Sequence, residues 1–195
     1  RVIPFFAMRA VHDLSLPKQT ETGWVQLGAC AVGVLGLLFG QPIPTALGLG
    51  LAGVLALVQI ISWKPLAVRS NALLWILYVG YTSIGVGLIM AAMAQAGIAM
   101  SPVLPVHTIA MAGFSVLIIG MVTRTALGHT GRPLATDRTM RTSYWLMLIA
   151  VALRLAAIAH TPATAGLLHL AGAAWIASLG LYLWQFTPIL IRPRK

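Results

Sequence analysis

Residues 64–101 read KPLAVRSNALLWILYVGYTSIGVGLIMAAMAQAGIAMS. Two cations, Lys64 and Arg69, precede an apolar run at residues 70–95, and the gap that follows, Gly97 to Ser101, carries none. An α-helix needs ~20 residues to cross ~30 Å of hydrocarbon, and this run is long enough. Reading outward in both directions finds five more runs, at 23–40, 44–63, 104–123, 142–159 and 163–190. The cations fall in alternate gaps. Arg1, Arg9 and Lys18 lie before the first run, Arg124, Arg132, Arg138 and Arg141 lie in the fourth gap, and Arg192, Arg194 and Lys195 end the chain. The first, third and fifth gaps, at 41–44, 97–101 and 161–162, hold none. Lys and Arg near span ends stay on the cytoplasmic side. The pattern therefore predicts an all-α, polytopic membrane bundle of six transmembrane helices with both termini in the cytoplasm.

Composition agrees. Of 195 residues 59% are hydrophobic and 8% charged, whereas about 25% of a soluble domain is charged. The net charge of +10 sits in short juxtamembrane gaps, so it reads as topology and contact with the lipid bilayer. A nucleic-acid partner is excluded, because no basic face interleaved with aromatic residues is present. The single cysteine, Cys30, lies inside the first run and reads as a small apolar packing residue.

Three divisions follow. Residues 1–22 form a cytoplasmic interfacial arm with Val2, Ile3, Phe5 and Phe6 as its apolar contacts, 23–190 form the six-helix domain, and 191–195 form a cytoplasmic tail. The first residues do not read as a cleavable signal, and the chain opens on arginine, so it reads as a processed product or part of a longer polypeptide. Gly36 and Gly40, with Gly48 and Gly53 in the next run, allow helix backbones to approach closely. The long cytoplasmic stretch 124–141, RTALGHTGRPLATDRTMR, is the segment that looks functional by itself.

The histidines divide by side. His107, His160 and His169 fall in the outer half, and His129 and His12 on the cytoplasmic side. His107 and His129 would stand about 33 Å apart on one helix at 1.5 Å per residue, too far for one metal. The outer set, with Met111 one turn from His107, offers imidazole and thioether ligands that suit haem iron or copper. The competing reading of each is bland: an interfacial histidine is a hydrated polar group, and Met111 fills a gap. Arg154 lies within the fifth run, while Asp13, Glu21 and Asp137 are all cytoplasmic. An anion such as a haem propionate is its expected partner, and snorkelling to the outer interface is the alternative. On the other side, Arg124 and Arg132 flank Gly128-His129-Thr130-Gly131, where two glycines would let backbone amides converge on an anion or cofactor edge.

The stretch from His107 through MVTRTALGHTGRPL, ending at Leu134, resembles the hallmark segment of the NnrS family. RVIPFF at Arg1 to Phe6, LLWILYVGY at Leu73 to Tyr81 and WQFTPILIRPR at Trp184 to Arg194 fit the same family. The resemblance implies a bacterial inner-membrane protein that contains haem and copper and takes part in the nitric oxide response or nitrosative stress tolerance. Family members are about twice as long, with around twelve spans, so the chain resembles their C-terminal half and would partner an N-terminal half or another membrane subunit. A histidine commonly stands in the family where this sequence has Tyr78, whose phenol is a known haem ligand type. The resemblance implies metal and a small gaseous ligand, nitric oxide, but no reaction. Paired carboxylates, a Ser-His-Asp set, a phosphate loop and CxxC are all missing from the sequence. The rival function is a transporter or channel module in which His and Arg line a path for an anion or metal ion. A purely structural subunit packing through its glycines is a third.

Overall fold

The computed structural model describes residues 2–159 and 161–191, and among them every regular element is helical. A short helix, α1 (Val2–Ala10), precedes six long ones: α2 (Thr20–Leu38), α3 (Pro42–Ser62), α4 (Ala72–Gln95), α5 (Val103–His129), α6 (Arg138–Ala156) and α7 (Thr164–Leu190). The six long helices are long and apolar enough to cross a membrane. The protein is a multi-pass helical membrane bundle, and six crossings put both ends of the described chain on one side, the basic side.

Local chemistry sets where the helices begin and end. Pro42 opens α3, where a missing N–H costs no internal hydrogen bond. Asn71 caps α4 by accepting from the Leu73 amide at 3.1 Å, and Asp137 caps α6 by accepting from the Met140 amide at 2.8 Å. The α2–α3 connection turns at Gly40, whose φ is +64°.

Helices adjacent in sequence pack together, with α3 between α2 and α4, and α4 against α5. Close approach explains the glycines. A Cβ on Gly48 would run into the backbone of Ala29 and Gly33 in α2, and one on Gly53 would lie 2.7 Å from the Gly85 carbonyl oxygen of α4. With no hydrophobic force between helices inside lipid, such backbone contact and side-chain packing hold them. Leu73, Leu74, Ile76 and Leu77 at the start of α4 are fully buried, and Ile76 and Leu77 meet Val116, Ile119, Tyr144 and Met147 in the largest core cluster. The last two helices are clasped by serines. Ser143 Oγ donates to the Ser178 carbonyl at 2.9 Å, and Ser178 Oγ donates to the Ser143 carbonyl at 2.7 Å.

Two boundaries differ from the sequence reading. The fourth span continues to His129 and α6 starts at Arg138, so the connection is residues 130–137 and not 124–141. The apolar run ends at Arg124, but the chain stays helical through Gly128 and turns only at Gly131, whose φ is positive. The arm contains α1, whose Ala7 is fully buried and whose Ile3 and Phe6 pack on the core, while Val2 and Phe5 stay exposed. Arg1 and residues 192–195 of the tail lie outside the described residues.

Candidate functional site

On the basic side, Arg124 is 5% exposed. Its guanidinium carbon lies 3.9 Å from the centre of the Phe6 ring, so α1 covers it with an aromatic face. Its Nη1 has no hydrogen-bond partner among the described residues, and neither has the buried Nε of Arg132. The Gly128–Gly131 segment does something other than expected. Gly131, with φ of +72°, donates its amide to the Gly128 carbonyl at 3.3 Å, and Arg132 donates its amide to the Leu127 carbonyl at 3.0 Å. That is a Schellman cap on α5. Thr130 completes it, donating its hydroxyl to the Ala126 carbonyl at 2.7 Å. The amides of Gly131 and Arg132 are thus turned inward to the helix and do not converge on an anion. His129 is exposed in the final helical turn.

On the far side, α5 starts with a turn of α-helix, Val103–His107, and then runs as a π-helix through Thr108–Ser115. Such segments are uncommon and recur at functional sites. His107 stands at the junction, half-buried, with Nδ1 3.0 Å from the Val103 carbonyl and Nε2 2.7 Å from Nη2 of Arg154 in α6. The protonation follows from the bonds. Guanidinium nitrogens only donate, so Nε2 accepts and the proton sits on Nδ1, where it is donated to the Val103 carbonyl. His107 is therefore a neutral imidazole holding a cation. Arg154 lies in the last turn of α6, where a positive charge is also favoured by the helix dipole. The sequence reading sought an anion for Arg154, and the structure gives it an imidazole.

The other far-side candidates are not gathered here. His169 is on the exposed side of α7, and Met111 packs half-buried against the largest core cluster. His160 lies outside the described residues. Among the described residues no three His, Cys, Asp or Glu side chains converge. The chain's own resources for a metal at this point are one imidazole whose Nδ1 is pinned, and one guanidinium.

The family model described as NnrS protein matches residues 1–194. The chain belongs to the NnrS family. No curated protein and no solved structure matches it. The match spans α1 through α7, and so includes both the His107–Arg154 pair and the cap at Gly131.

In this NnrS-family protein Tyr78 is remote from the pair. It sits near the basic end of α4, 4% exposed, and donates its hydroxyl to the Trp63 carbonyl at 3.0 Å. Around it lies a network the sequence reading missed. Tyr81 has the amide oxygens of Gln26 and Gln59 at 3.0 and 2.6 Å, and its ring stacks on Trp63 at 5.3 Å between centroids. Trp63 donates its indole N–H to Gln19 at 2.9 Å. One phenol proton cannot serve two carbonyl oxygens, so one of the two amides presents its NH2 to Tyr81 instead. The available signal was glutamine within apolar helices, where a polar group needs a partner.

Proposed function

We propose that this NnrS-family protein is a membrane haem protein, with copper as a second metal, that serves the nitric oxide response. Family membership supports the biological role, and the observation that carries the metal reading is the bonding of His107. A metal-binding histidine normally donates its other ring N–H to a carbonyl or carboxylate, which fixes the tautomer. The Nδ1 contact with Val103 does this for His107. Its Nε2 holds Arg154 at 2.7 Å. A metal held by Nε2 would take the place of the guanidinium, and Arg154, whose planar fork matches a carboxylate such as a propionate, would be free to hold one. The residues present would thus supply one imidazole nitrogen to the iron and one guanidinium to a propionate. A haem so held would supply an iron that takes nitric oxide. Met111, four residues after His107, is a thioether of the kind copper accepts, but it packs on the core cluster and does not share the site of His107.

The test is purification from membranes in mild detergent, with metal analysis and absorption spectra before and after reduction and exposure to nitric oxide. A Soret band that shifts on both treatments is the expected result, and His107→Ala lowers haem per chain at least about fivefold. A colourless, metal-free protein that moves anions or metal ions in liposomes would instead establish the transporter reading.

A further inference from the structure

A cavity on the basic side involves neither arginine. It has a volume of about 690 Å³ and opens on the basic side between α1, the segment after it, and the basic ends of α2, α3 and α4. That volume falls in the range of small-molecule sites, about 300–1,000 Å³.

Its walls carry a specific chemistry. Phe5 and Met8 of α1 form one wall, and Trp24 and Leu27 of α2, 64% and 58% exposed, form a rim at the lipid-facing surface. The floor is polar without being charged: Gln26, Gln59 and Tyr81, with the Trp63 ring stacked on Tyr81. Among the described residues Lys18 is the one charged residue in the lining, and it is exposed. The floor groups lie one to three turns inside their helices, where a polar side chain is by default a functional feature. Gln59 is 4% exposed, and only one end of its amide has a hydrogen-bond partner among the described residues. The other end is available to a ligand.

We infer that this cavity binds the head of a membrane-borne quinone, a flat uncharged ring bearing carbonyl oxygens on an apolar tail. The stacked rings of Trp63 and Tyr81 give the cavity an aromatic wall for a flat ring to lie beside. The amide and phenol groups of the floor match its carbonyls, and the rim at Trp24 and Leu27 lets the tail remain in lipid. A phospholipid head would bring a phosphate to a floor that has no cation. Haem would bring two carboxylates and iron, and among the described residues the lining holds one lysine and no histidine. The assignment is independent of the haem reading, because none of its residues touches His107 or Arg154.

The experiment uses the whole protein in nanodiscs of phosphatidylethanolamine and phosphatidylglycerol, photolabelled with an azido-ubiquinone and mapped by mass spectrometry. Label is expected on peptides containing Met8, Trp24 or Trp63, and decylubiquinone should reduce it at least about fivefold. Gly23 lines the cavity, and a Cβ there would meet nothing within 4 Å, so Gly23→Phe should plug the site at unchanged melting temperature and cut labelling by a similar factor. Tyr81→Phe, which preserves shape, should cut it about threefold. His107→Ala should leave labelling intact even if haem is lost. Label that maps elsewhere, ignores decylubiquinone or persists in both Gly23→Phe and Tyr81→Phe overturns the inference. So does equal displacement by added cardiolipin, which would make the cavity a phospholipid site.

Discussion

Arg124 and Arg154 stand toward opposite ends of the bundle, and among the described residues neither meets a carboxylate. Each is kept by different chemistry. Arg124 is nearly inaccessible and lies under an aromatic ring contributed by α1. Arg154 is half-buried and directs one N–H at a neutral imidazole. A ring face attracts a cation lying over it without fixing the direction of any single N–H. An imidazole nitrogen has one lone pair in the ring plane, so it holds a cation only in one geometry and only while that nitrogen is free. The first arrangement anchors a helix. The second can be exchanged for another ligand, which is why the far-side pair is the better candidate for chemistry.

The comparison can be broken most forcefully at Phe6. Phe6→Ala removes a core-packed ring and leaves Arg124 buried without its aromatic face, for an expected loss of about 3 kcal/mol. The melting temperature in detergent should fall accordingly, while Phe6→Tyr, which retains a π face, should fall much less. An unchanged melting temperature after Phe6→Ala would show that the ring is not what holds Arg124. Next in size is His107→Ala, expected to cost about 1.5 kcal/mol, near the upper end for hydrogen bonds measured inside membranes. A double-mutant cycle with Arg154→Leu should return a coupling of about 1 kcal/mol, and additive losses would mean that the bond contributes nothing. Smaller again is Gly131→Ala, about 1 kcal/mol, from forcing a Cβ into the left-handed region. Thermal denaturation should detect it, with haem content unchanged, because the Gly128–Gly131 segment caps α5. Least affected should be Arg154→Lys, at about 0.5 kcal/mol, since an ammonium can still donate to Nε2. Its haem content is the sharper measurement. If the fork of Arg154 meets a propionate, that content drops more than the stability does.

The spans were legible because lipid imposes a length. Twenty apolar residues bounded by cations can do little else, and all six runs appear as helices within a few residues of where the sequence places them, apart from the overrun to His129. Arg154 was legible as a charge in need of a partner, since no acidic residue lies on its side. Its actual partner was not. His107 is 47 positions earlier, and whether two helices turn those side chains toward each other depends on rotation about each axis. The π-helical segment at Thr108–Ser115 shifts that rotation within α5 itself. The Gly128–Gly131 motif misled for a different reason. Two glycines spaced three apart suit an anion loop and a helix cap equally, and the choice depends on which carbonyls the amides find. Tyr78 was singled out by a position in the family, and the structure commits its hydroxyl to Trp63.

The serine clasp between α6 and α7 has a consequence for how the final helix can move. Each hydroxyl grips the opposite main chain, so sliding or rolling α7 breaks both bonds in the same step, and one turn away in α7 stand Ala174, Trp175, Leu181 and Tyr182, with no serine or threonine to remake them. Ala171, Ser178 and Phe186 are the buried residues of α7, and the helix packs chiefly against α6. The two helices should therefore move as one body, and any rearrangement of the bundle that involves α7 would carry α6 with it.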